Sequence, residues 1–84
     1  MTQQQIFDEL LRILAADDPE LEIGVIQLDD RPFREYGLDS MALICLQAEV
    51  EDRFGIEIDD ADAMIAFSFE RLVELIGEKT RVSL

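Results

Sequence analysis

The chain has 84 residues, 20 of them acidic and 7 basic, with no histidine and a net charge of −13. That length makes a single domain, residues 1–84, near the lower size at which a hydrophobic core alone supports folding. So acidic a surface repels nucleic acid and anionic membranes, and the lack of histidine removes every Ser–His or Cys–His nucleophile pair, so no enzyme is expected.

The start, MTQQQIFDELL, has neither the basic nor the apolar region of a signal peptide. Thr2 and Gln5 have capping-box spacing, and Ile6, Leu10, Ile13 and Leu14 recur on one face, which predicts a helix over about residues 3–15. Asp17, Asp18 and Pro19 end it. Residues 17–38 show no sustained period. Leu21, Ile23, Val25, Ile26 and Leu28 could pass for a strand, but it would have no partner, so a long loop pinned to the core by some of these side chains is expected. Phe33 and Leu38 should pack inward.

A second helix is predicted from Ser40 to Arg53 with Gly55 as its C-terminal cap. Leu43, Leu46, Val50 and Phe54 form its core stripe, all within about 80° of arc. Asp59 or Asp60 should cap a short helical piece at Ala61 to Ala66. Ser68 should cap a last helix that turns Phe69, Leu72, Val73 and Ile76 inward. The expected fold is all-α: three main helices and one short one, with a long loop between the first two. No apolar run approaches the roughly 20 residues of a membrane span. The single cysteine, Cys45, allows no disulfide framework and fits a reducing cytoplasm.

Asp39 and Ser40 stand where the loop ends and the second helix begins. Either residue suits a helix cap. A hydroxyl there also meets the unpaired backbone N–H groups of a helix start, which favour a phosphate ester.

Gly37-Leu38-Asp39-Ser40-Met41, with Phe33 upstream and Glu51-x-x-Phe54-x-Ile56-x-Ile58 downstream, resembles the acyl carrier protein family over nearly the whole chain. The resemblance implies a covalent 4′-phosphopantetheine arm, derived from coenzyme A, on Ser40. Asp39 would be the motif neighbour that assists the transferase. Acyl or aminoacyl groups would ride the arm as thioesters. The implied partners are a phosphopantetheinyl transferase and loading and condensing enzymes with basic docking surfaces, met by a monomeric carrier.

Nine acids and one base, Arg53, lie between Glu35 and Asp62. Met41, Cys45, Ala48 and Asp52 follow helical spacing away from the core stripe. In carriers this face docks partner enzymes, with Glu49, Glu51 and Asp52 here as an acidic rim. Met64 and Ile65 would line the slot beside the arm. Carriers of general fatty acid synthesis usually have acids where this chain has Ala42 and Cys45. The departure favours a dedicated polyketide, nonribosomal peptide or D-alanyl pathway, and Asp-Ser-Met leans towards the last. Cys45 lacks a neighbouring base or second cysteine, so no reactive role is expected of it. Asp59, Asp60 and Asp62 lack the glycine and distal glutamate of an EF-hand, which leaves capping and weak cation binding, and no metal site is expected. The competing reading is an acidic helical adaptor of the same fold, without an arm.

Overall fold

The computed structural model describes residues 1–82. Its regular elements are four α-helices, α1 (Gln3–Asp17), α2 (Ser40–Phe54), α3 (Asp60–Ile65) and α4 (Phe69–Val82), with two 3-10 turns (Ile23–Val25 and Phe33–Tyr36) between α1 and α2. Among the described residues the only β-type pairing is an isolated bridge of Pro32 with Ser68.

The caps are local and legible. Thr2 Oγ1 accepts from Gln5 N while Thr2 N donates to Gln5 Oε1, closing the box that starts α1. Asp59 and Asp62 form the same reciprocal box at α3. Gly55 ends α2 in the left-handed region, φ 64°, which a side chain would strain. The core joins Ile6, Leu10 and Ile13 of α1 to Leu46 and Val50 of α2 and to Phe69, Leu72, Val73 and Ile76 of α4. Leu43 and Phe54, expected in the core stripe, are only partly buried at its edge.

Phe69 is the hub. It is fully buried and meets Phe7, Phe33 and Tyr36 edge-on, with centroids 5.7, 4.8 and 5.9 Å away. Such pairs contribute about 0.5–1.5 kcal/mol each beyond the area they bury. One ring therefore ties α1, α4 and the long loop together.

The long loop is more ordered than its sequence implies. Ile26 is buried and Leu21, Ile23 and Leu28 pack against the core, whereas Val25 faces solvent. Its second half is bound to the start of α4. Phe33 N donates to Phe67 O (3.1 Å) and Glu70 N donates to Asp29 O (3.1 Å). Ser68, fully buried, donates from Oγ to Asp30 Oδ1 (2.9 Å) and accepts from Arg71 N (3.2 Å), so the expected cap also joins loop to helix. Arg71 Nε reaches the same Asp30 oxygen (3.2 Å).

Ion pairs sit at the edges. Glu9 pairs with Arg12 and Arg53, and Asp62 with Lys79 (2.9 Å). The Arg12 and then the Arg53 hydrogen bond lower the Glu9 pKa, the Lys79 hydrogen bond lowers that of Asp62, and the Tyr36 hydroxyl lowers that of Asp29. Carboxylates held low stabilise the fold above their unfolded values, 4.5 for Glu9 and 3.8 for the two aspartates. That contribution disappears as pH falls through the folded values. The nine acids around residues 35–62 act oppositely through mutual repulsion. The melting temperature should therefore rise with millimolar magnesium and on acidification from about pH 7 to 5.5, then fall below about pH 4. A flat calorimetric response to both magnesium and mild acid would show that repulsion is too well screened to matter.

Candidate functional site at the start of helix α2

The chain reaches Ser40 through a sequence of constraints. The Tyr36 hydroxyl donates to Asp29 Oδ2 (2.7 Å) and accepts from Gln27 N (3.3 Å), while its ring leans on Phe69. Burial, and then that bond to Asp29, raise the tyrosine's pKa, so it stays a neutral donor. Gly37 follows at φ 83° and reverses the backbone, its N–H bonded to Arg34 O. Leu38 plugs the core at 4% exposure. Asp39 and Ser40 come next, already exposed.

The two cap candidates separate here. Asp39 is the cap: its Oδ1 accepts from Ala42 N (2.9 Å). Ser40 is the first helical residue, and its hydroxyl makes no hydrogen bond to any described residue. The bland explanation of Ser40 as a capping hydroxyl therefore falls to its neighbour. The backbone N–H groups of Ser40 and Met41 also have no partner among the described residues. A free, exposed hydroxyl beside two unpaired N–H groups at the positive end of a 15-residue helix fits a phosphodiester attached at that oxygen.

The outer face of α2 carries Met41, Cys45, Ala48 and Asp52, all exposed, with Met41 at 68%. Ile44, which the sequence reading left unassigned, is 62% exposed on the same flank. Helical geometry puts it about 60° from Met41, so the wheel contained the signal. The acids near this face differ in their engagement. Asp52 is exposed and Glu49 half-buried, while Glu51 Oε2 accepts from Ile58 N (2.9 Å) and so braces the link after α2.

An open cleft of about 380 Å³ separates α2 from the α3 end, lined by Phe33, Leu43, Gln47, Ala63, Ala66 and Phe67 among others. Met64 and Ile65, the expected slot residues, are outside this lining and point to solvent at 83% and 60% exposure. Their neighbours Ala63 and Ala66 face the cleft instead. Asp59 and Asp62 spend their carboxylates on each other's backbone and on Lys79. No helix among the described residues is long and apolar enough to cross a membrane.

Residues 4–77 match the family model described as the phosphopantetheine attachment site. The chain belongs to that family, the acyl carrier proteins, whose members are carriers rather than catalysts and hold 4′-phosphopantetheine covalently. It is 36% identical over 61 residues to an acyl carrier protein of Streptomyces coelicolor, a match covering 73% of this chain and 66% of that relative. Its fold is similar to the crystal structure of an acyl carrier protein from Thermotoga maritima (TM-score 0.84, 20% identity, 98% of this chain and 94% of that one). It is also similar to the solution structure of a hexanoyl carrier, a non-natural intermediate, from the actinorhodin polyketide synthase of Streptomyces coelicolor. There the TM-score is 0.77 and the identity 29%, with 92% of each chain covered.

Proposed function

We propose that this protein carries acyl or aminoacyl groups as thioesters on a 4′-phosphopantetheine arm attached to Ser40, in a dedicated biosynthetic pathway. The observation that supports Ser40 most is its free hydroxyl at an uncommitted pair of backbone N–H groups, with the capping duty taken by Asp39. The arm supplies the thiol on which cargo travels. The chain's own residues present that arm, and the loading and condensing enzymes supply the catalysis. Asp39 flanks the attachment point as motif neighbour, where the transferase must approach. The likeness to a polyketide synthase carrier favours a polyketide pathway among the dedicated ones. The absence of acids at Ala42 and Cys45 speaks against the general fatty acid carrier. Incubation with coenzyme A and a broad-specificity phosphopantetheinyl transferase, followed by intact-mass measurement, tests the carrier reading. A gain of one phosphopantetheinyl unit is expected, and an unchanged mass would leave the armless adaptor as the better account.

Met41, beside the attachment point, is the proposed anchor of partner docking, with Cys45 and Ala48 behind it and Glu49 and Asp52 steering a basic partner surface. Interface energy concentrates in a few apolar anchors, while rim charges act mainly on encounter rates. Met41→Ala should weaken binding to the transferase by about 1 kcal/mol or more. Because the side chain is 68% exposed, the stability of the protein should hardly change. Asp52→Lys should slow association most at low salt. Unchanged affinity in a titration of Met41→Ala would remove Met41 from the docking surface. The braced Glu51 is the weakest member of the rim, since its carboxylate already serves Ile58.

A further inference from the structure

Besides the cleft on the α3 side, α2 borders a second hollow on its α1 side, lined by the residues that flank Ser40 in the chain. It is a trough of about 320 Å³ whose wall includes Leu14, Leu21, Met41, Ala42 and Cys45, with Asp17 and Asp39 among its acidic lining. The residues on either side of Ser40 in the chain, Asp39 and Met41, both belong to it.

We propose that this trough is a resting site for the unloaded phosphopantetheine arm, which brings the arm's thiol within bonding distance of Cys45. The inference rests on Ser40 carrying the arm. The chemistry of the two surfaces agrees. The arm alternates apolar segments, including a gem-dimethyl group, with two amides. The trough offers leucine and methionine side chains together with the carboxylate of Asp17, which has no hydrogen-bond partner among the described residues and can accept from an amide N–H. Reach is sufficient. Cys45 lies five residues beyond Ser40, about 7.5 Å along the helix axis, and two amide units with their spacers extend further than that. The Cys45 thiol is exposed, and the chain contains no other cysteine to compete for it.

Proximity has a covalent consequence. A thiol on a short flexible tether has an effective concentration in the millimolar range, far above that of a second protein molecule. With a peroxide as oxidant, Cys45 Sγ and the arm's sulfur each give up a proton and an electron and join as a disulfide, and hydrogen peroxide takes both pairs to become two waters. The product cannot accept cargo until a thiol reductant opens it, so Cys45 would lock the carrier reversibly.

The test uses arm-bearing protein, verified by mass before oxidation. If no arm can be added, the attachment reading and this inference both fail. Once the arm is present, dilute hydrogen peroxide should give a monomer lighter by two hydrogens that is restored by dithiothreitol and absent from Cys45→Ser. The folded protein should form it at least about tenfold faster than the same protein in urea, where only the tether acts. Met41→Asp, at an exposed position in the trough wall, should slow it several-fold in the folded state. Equal or slower formation when folded, formation of intermolecular dimers only, or indifference to Met41→Asp would each overturn the trough as the arm's resting site without touching the assignment of Ser40.

Discussion

Ser40→Ala should abolish the phosphopantetheinyl mass gain and leave the unfolding free energy within about 0.5 kcal/mol of the parent. The two halves of that expectation come from one geometric fact. Ser40 is exposed and its hydroxyl bonds to no described residue, so nothing in the fold depends on it. Alanine is in addition the better helix former at a helical position. Ser68 gives the opposite pattern. It is fully buried, donates to Asp30 and accepts from Arg71 N. Ser68→Ala strands the Arg71 donor and removes the bond to Asp30, at a cost of about 1–3 kcal/mol, while the mass gain persists. Thr2 and Thr80 lack the motif context, and Ser83 lies outside the described residues. Retention of the gain in Ser40→Ala would move the attachment elsewhere.

Phe69→Ala should cost about 3–5 kcal/mol of stability, read as a lowered midpoint in urea. A domain of 84 residues commands only about 4–13 kcal/mol in total, so this substitution consumes a large share. The reason is position as much as size. Phe69 is the shared edge-on partner of Phe7, Phe33 and Tyr36. A cavity there separates α1 from α4 and frees the Phe33–Tyr36 turn that leads to Gly37 and Ser40. The transferase rate should fall along with stability even at temperatures where α2 persists. A midpoint shift worth less than about 1 kcal/mol would mean that the neighbouring rings close the hole and Phe69 is no hub.

The parts legible in the sequence are those decided within one turn of helix. Thr2 with Gln5, Asp59 before α3, Gly55 after α2 and Ser68 before α4 all act through neighbours three or four residues away, so type and spacing suffice. The inward faces of α1 and α4 follow from periodicity over several turns. The role proposed for Ser40 comes only from the Gly37–Met41 motif, since an N-terminal serine alone reads as a cap. The rest depended on distance. The Asp30 bonds to Ser68 and Arg71 span 38 and 41 residues, and no local pattern announces them. The 3-10 turns of the loop are too short to show a period. The outward facing of Met64 and Ile65 is not legible, because a six-residue helix has fewer than two turns, too few to fix which side faces in. Glu51 looked free because an acid on an outer face carries no mark of the backbone N–H it will meet.

Helix α3 buries none of its own residues. The Asp59 capping box is internal to it, so the Asp62–Lys79 ion pair and the chain on either side are its main attachments. Lifting it away from α4 therefore exposes almost no apolar area, and the free energy of that local opening lies far below that of global unfolding. Amide protons of α3 should therefore exchange fast, whereas those of α4 around the buried Phe69 and Val73 should wait for the whole domain to open. The cleft beside α2 is thus walled on one side by a weakly anchored element, and its width should follow the girth of whatever lies in it without drawing on the core.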